Sequence, residues 1–237
     1  MRIAVCVLAL AGSASMALAD GSVLVWSTGN RDTTGDVASY LRASGCFDSV
    51  DWVNTNVTLP LTTLANYDRV LYFSNSSEGQ DPTAIGDVLA DYADTGRRLV
   101  LGVFSWAEQG GNTLGGRLIS DGYSPFVSQG GSLYSTGTLG TTDGSFYWAG
   151  VNSLSEFYRD NVAVIGGATL HGSYADGVPL LATKGNVAAL NTFVDFTWGG
   201  VSGDQQQLVI NVLCNIPAPS TAAMAAAGML LVGRRRR

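Results

Sequence analysis

Two stretches, RVLYFS (69–74) and RRLVLGVF (97–104), are apolar almost without interruption, and a helix-patterned segment separates them. A strand that faces water on one side alternates apolar and polar residues. A continuous apolar run instead marks a strand buried on both faces, as in a parallel sheet covered by helices. The intervening segment fits that layout. Pro82 opens it, Ile85, Val88, Leu89 and Tyr92 form one stripe, and Gly96 stops it. The same grammar appears upstream. Ser22–Ser27 and Ser49–Val53 read as strands, and Thr33–Ser44 reads as a helix capped by Thr33, with Asp36 in its first turn and Gly45 at its end. Strands alternating with helices predict an α/β domain with a mainly parallel sheet.

After Ser105 the pattern changes. Residues 112–119 predict a short helix, and 128–145, rich in Gly, Ser and Thr, predict a loop region. Short β-like pieces follow at Val162–Ile165, Ala168–His171, Val178–Thr183 and Val187–Asn191. Asp176-Gly177 and Lys184-Gly185-Asn186 lie between the last three as turns, which predicts antiparallel hairpins added to the parallel core. Gly203–Cys214 predicts a closing amphipathic helix with Leu208, Val209, Val212 and Leu213 inward.

Both ends read as export signals rather than fold. Arg2, the apolar run Ile3–Ala11 and Ala17-Leu18-Ala19 before Asp20 have the three parts of a secretory signal peptide, over 1–19. At the other end, Pro217-Ala218-Pro219, an apolar segment Ala222–Val232 and Arg234, Arg235, Arg236 and Arg237 follow in order over 215–237. The apolar segment is roughly half the length of a bilayer span, which suits a transient anchor. This tail resembles the bacterial PEP-CTERM sorting signal, with Ala218 where that signal has Glu. The resemblance implies an exosortase-type processing protease as partner and release to the cell envelope or extracellular matrix. A plain C-terminal membrane anchor is the alternative.

Residues 20–214 then form one domain. The two ends hold five of the 13 basic residues, leaving eight against 19 acidic ones, a net charge of −11. A surface of that sign repels phosphate backbones, so nucleic acid is not expected as a partner.

The layout as a whole resembles the class I glutamine amidotransferase-like superfamily and its ThuA-like branch. The stretches that carry the likeness are NYDRVLYFSN, GRRLVLGVFSW, GVPLLATKGNVAALN and the last helix. It implies a flavodoxin-like three-layer sandwich with a mainly parallel sheet and a late antiparallel β-hairpin insertion. In such an order the first and last helices share a face, which implies a disulfide between Cys46 and Cys214; two buried free thiols are the alternative. Export permits the bond.

The same resemblance places a nucleophilic Cys in Gly-x-Cys-x-Gly after the fourth strand. Here the stretch is Gly102-Val103-Phe104-Ser105-Trp106, and Phe104 stands at the Cys position. Ser105 is one residue out of frame. It requires a base, and His171 is the sole histidine, so Ser105 and His171 form a weak catalytic pair at most. Ser27-Thr28-Gly29-Asn30 echoes a flavodoxin phosphate loop, but Asp32 and Asp36 oppose an anion there, so no cofactor is expected. No metal-ligand spacing is present. Asp143 and Asp176 read as turn residues, and Asp51, Glu78 and Glu108 as acids without a defined partner. Trp106, at a strand end where open α/β sheets bind ligands, is the candidate ligand contact. With it go Tyr123, Phe126, Tyr134, Phe146, Tyr147 and Trp148, which either stack on sugar rings or, as the favoured reading, cover the sheet edge. The expected role is therefore non-catalytic binding of an extracellular polysaccharide or matrix protein. A secreted hydrolase or carbohydrate-active enzyme using the cleft at the strand ends is the alternative.

Overall fold

The computed structural model describes residues 21–28, 34–74, 80–107, 113–197 and 199–215. The signal-peptide and sorting-tail expectations (1–19, Pro217, Pro219, Arg234–Arg237) therefore lie outside the described residues, as do Thr33, Glu78 and Glu108.

The chain runs β1 (Ser22–Thr28), α1 (Thr34–Ala43), β2 (Ser49–Asn54), α2 (Leu61–Leu64), β3 (Arg69–Ser74), α3 (Pro82–Asp94), β4 (Arg98–Gly102) and α4 (Gly116–Ser120). It continues β5 (Phe126–Ser132), β6 (Gly137–Thr142), a 3₁₀ turn at Phe146–Trp148, β7 (Leu154–Glu156), β8 (Asp160–Val164), β9 (Thr169–Tyr174), β10 (Pro179–Lys184), β11 (Val187–Leu190), β12 (Val201–Gly203) and α5 (Gln205–Asn215). The fold is mixed α/β around one large sheet of order β12-β7-β6-β9-β10-β11-β4-β3-β1-β2, with β5 and β8 forming a separate pair. Neighbours from β2 through β1, β3 and β4 to β11 are parallel, and from β11 to β12 they are antiparallel.

The continuous apolar runs are explained by two cores, one on each side of the sheet. Val23, Val25, Leu71, Phe73 and Val100 face the core that also holds Val37 and Leu41 of α1 and Leu208, Val212 and Leu213 of α5. Leu24, Trp26, Val70, Tyr72, Leu99 and Leu101 face the other, packed on Ile85, Leu89 and Tyr92 of α3. Alternate side chains thus enter opposite cores. Helix α3 starts where Asp81 caps it: its Oδ1 accepts from the amides of Thr83 and Ala84 at 3.1 and 3.0 Å, with Pro82 at the first helical position.

Two expectations are corrected. Residues 128–145, read as loop, contain most of β5 and all of β6. Gly137 and Gly140 there permit close approach rather than a turn. A Cβ on Gly140 would meet the Tyr174 backbone at 2.5 Å, and one on Gly137 would meet the Arg159 guanidinium at 2.3 Å. The second correction concerns Val187–Asn191. It forms the expected antiparallel hairpin with β10, but it is not only an addition to the core, because its other edge pairs in parallel with β4 and completes the parallel half. All four of its residues are buried, Ala188 and Leu190 in one core and Val187 and Ala189 in the other, which a central strand requires.

The end of α5 is tied down twice. Cys46, after α1, and Cys214 form a disulfide with Cα atoms 6.7 Å apart, as the order of helices implied. The buried Arg69 donates through Nε to the Leu213 carbonyl at 2.8 Å, placing a cation at the helix C-terminus. Among the described residues no helix is long and apolar enough to cross a membrane.

Candidate functional site at the carboxyl ends of the strands

In open α/β sheets, ligands bind beyond the carboxyl ends of the parallel strands. Here the end of β4 leads into Phe104, Ser105 and Trp106, and the adjacent end of β11 leads into Asn191, Thr192 and Phe193.

Phe104 is 7% exposed and packs in a cluster of three rings. Its centroid lies 5.9 Å from Phe193 and 6.0 Å from Tyr158, and Tyr158 and Phe193 are 5.8 Å apart. Ser105 is fully buried, and its hydroxyl donates to the Gly102 carbonyl at 2.6 Å, so its proton closes a local turn. Trp106 is 1% exposed. Its indole donates to Ser124 Oγ at 3.0 Å and its ring meets Phe126 edge-on at 5.3 Å. That burial corrects the expectation of Trp106 as a ligand contact: the indole has no face toward solvent. Of the other aromatics, Phe126, Tyr147 and Trp148 are buried, whereas Tyr134 and Phe146 are 46% and 74% exposed.

Beneath these rings lie two carboxyls that the sequence reading passed over. Asp160 Oδ2 accepts from the Trp106 amide at 3.1 Å and Oδ1 from Ser132 at 3.2 Å. Glu156 accepts from Thr192 Oγ1 at 2.5 Å, the Phe193 amide at 2.9 Å and the Tyr158 amide at 2.8 Å. Burial pushes each up to about 7 despite these donors. Asn191 completes the network. Its Oδ1 accepts from the Asp160 amide at 2.8 Å, and its Nδ2 donates to the carbonyls of Asp160 and Pro179 at 2.9 and 3.0 Å. These groups fasten β4, β7, β8 and β11 together. The available signal was Glu156-Phe157-Tyr158-Arg159-Asp160, where three charged residues flank two aromatics between apolar Leu154 and Val162.

His171 is elsewhere. It sits on β9, separated from β4 by β10 and β11, so it lies three strand spacings, roughly 14 Å, from the β4 axis. Both ring nitrogens are engaged: Nδ1 with Asp143 Oδ2 at 2.7 Å and Nε2 with Thr183 Oγ1 at 2.8 Å. The structure therefore does not bring Ser105 and His171 together as a nucleophile–base pair. Asp143 is more than a turn residue. Its Oδ1 accepts from the Ser145 amide at 2.9 Å and the Trp148 indole at 3.1 Å. Burial works to raise its pKa, but the hydrogen bonds from Ser145 and His171 outweigh it and hold Asp143 at about 2. The Asp143–His171–Thr183 chain thus pins the 3₁₀ turn to β9 and β10, with the Tyr147 ring 4.7 Å from the imidazole.

At the end of β1, Ser27 Oγ meets Thr34 Oγ1 at 2.5 Å, and Thr28 Oγ1 meets Ser74 Oγ at 3.2 Å. Gly29–Thr33 lie outside the described residues. Asp51 accepts from Tyr67 at 3.0 Å, and Asp176 pairs with the buried Arg159 at 2.7 Å. Among the described residues no group of three His, Cys, Asp or Glu side chains could hold a metal ion.

Solved structures are similar to this chain in fold. One, described as a ThuA-like protein from Bacteroides uniformis, is 10% identical over 81% of this chain and 89% of its own, with a TM-score of 0.55. The fold is ThuA-like. Another, described as a GMP synthase component from Thermoplasma acidophilum, is 12% identical over 90% of this chain and 98% of its own, with the same TM-score of 0.55. A glutamine amidotransferase from Thermotoga maritima aligns at 11% identity over 71% of this chain and 74% of its own, with a TM-score of 0.45. No family model matches the sequence, and no curated protein matches it. At such identities the likeness is one of fold, so the chemistry of the ThuA-like scaffold here has to be argued from its own residues.

Proposed function

We propose that this chain is an exported, non-catalytic domain on a ThuA-like, amidotransferase-like scaffold, with a glycan- or protein-binding role at the cell envelope or in the extracellular matrix. The observation that carries the reading is Phe104. The side chain at the end of β4 is a ring packed on Tyr158 and Phe193, and the hydroxyl next to it in sequence, Ser105, is turned back onto the Gly102 carbonyl. The finer, flavodoxin-like description of the scaffold is supported by the strand order β2-β1-β3-β4-β11 and by helices on both faces. Export is supported by the signal-peptide pattern of 1–19 and the PEP-CTERM-like order of 215–237, with an exosortase-type protease as processing partner. The Cys46–Cys214 disulfide suits an oxidising compartment.

The hydrolase alternative is weakened by the position of His171, which is held by Asp143 and Thr183 away from the strand ends. The test is a pull-down of the exported protein against the extracellular matrix of the producing cells, run beside glutaminase and ester-hydrolysis assays. Retention on the matrix with no turnover is expected. Turnover lost in Ser105→Ala, or absence of matrix retention, overturns the reading.

A further inference from the structure

Four aromatic rings run in sequence from the surface to the carboxyl end of β4. Tyr134, in the β5–β6 turn, contacts Phe157 with ring centroids 6.1 Å apart. Phe157 meets Tyr158 at 5.3 Å, and Tyr158 meets Phe104 at 6.0 Å. Phe104 is buried, Phe157 and Tyr158 are half-buried, and Tyr134 is exposed. The outer ring, Tyr134, is 46% exposed, and the inner end is anchored in the core.

Tyr134 is also the one non-glycine among the described residues with a positive φ, at 46°. A bulky residue there crowds its own backbone, and glycine would fit without cost. Free energy is thus spent to hold an aromatic ring out in solvent, and such strain clusters at ligand-contacting positions.

The surroundings decide what the row suits. Residues 126–142 contain no charged side chain. Arg159 and Asp160, which follow Phe157 and Tyr158, are fully buried, and Arg159 is paired with Asp176 and with the Ser135 carbonyl. The chain next to the rings is neutral: Ser135 and Thr136, which follow Tyr134, are exposed, and the Gly200 backbone lies against Phe157 and Tyr158, its carbonyl accepting from the Phe157 amide at 2.9 Å. A pyranose has an apolar C–H face and a rim of hydroxyls. Aromatic faces bordered by amides and hydroxyls match both. A polyanion would be repelled by a domain of net charge −11.

We infer that Tyr134, Phe157 and Tyr158 form a stacking surface for a neutral saccharide chain. This rests on the binding role proposed above and names its site and ligand class. The full exported protein is run in native gels containing dextran, hydroxyethylcellulose, galactomannan or the anionic polymer alginate. Retardation by at least one neutral polymer is expected. Tyr134→Gly, which keeps the backbone conformation, and Phe157→Ala should each weaken it by about ten-fold, while Tyr134→Phe should stay within about two-fold. Unchanged retardation in Tyr134→Gly and Phe157→Ala overturns this site and leaves the binding role standing. Retardation by alginate alone, or by no polymer, overturns the ligand class, and the matrix pull-down then separately decides the role. Self-association that Tyr134→Gly abolishes would make the row a contact between copies and overturn the inference.

Discussion

Phe104 and Phe193 stand at the ends of two adjacent parallel strands, β4 and β11, with ring centroids 5.9 Å apart. The two strand ends from which this scaffold could bring reactive groups together instead bring two hydrocarbon rings together. Phe104→Ala should therefore cost stability rather than activity. Losing a nearly buried ring opens a cavity against Tyr158 and Phe193 and should lower the unfolding free energy by about 3 kcal/mol. Urea denaturation measures this, and a loss under about 1 kcal/mol would mean that the cluster is not packed.

Reduction of Cys46–Cys214, or Cys46→Ser, should lower stability sharply. The bond spans 168 residues, and constraint of so long a loop contributes up to about 5 kcal/mol in the chain-entropy account. Denaturation midpoints with and without reductant report the difference. Mass spectrometry of the non-reduced protein should find neither thiol free.

Stability should fall as pH rises from about 4 to about 7 and level off above. Glu156 and Asp160 are raised to about 7 in the folded chain, from 4.5 and 3.8. Between those values the folded state holds protons that the unfolded state has released, so the stabilisation is complete below the lower values and is lost through the upper ones. For Glu156 the change is about 3 kcal/mol, at 1.4 kcal/mol per unit. Glu156→Gln should remove its share of the slope. A wild-type profile that rises through this window would show that both acids are ionised in the fold. Asp143, lowered to about 2, acts in the opposite sense: its contribution is present above 3.8 and is lost as pH falls through 2.

Ser105→Ala and His171→Asn should be energetically additive. Their strands are separated by β10 and β11, and they share no partner, so a double-mutant cycle should close to within about 0.5 kcal/mol. Asp143→Asn with His171→Asn should not close, because these two form a hydrogen bond at 2.7 Å. Coupling between Ser105 and His171 would revive a shared site.

The parallel half of the sheet was legible because burial on both faces leaves a local trace: RVLYFS and RRLVLGVF read as central strands, and Pro82 and Gly96 delimit the helix between them. The phenylalanine at residue 104 was equally legible, since a phenyl ring has no nucleophilic atom whatever surrounds it. Tertiary structure decided the rest. It made strands of Gly-rich 128–142, where Gly140 and Gly137 admit Tyr174 and Arg159, which are remote in sequence. It placed β11 beside β4 rather than at an edge, buried Trp106, gave His171 to Asp143 and Thr183, and set Glu156 and Asp160 beneath the strand ends. None of these follows from periodicity or composition, because each depends on which segments the sheet order brings side by side. Periodicity records only how a segment faces its own surroundings.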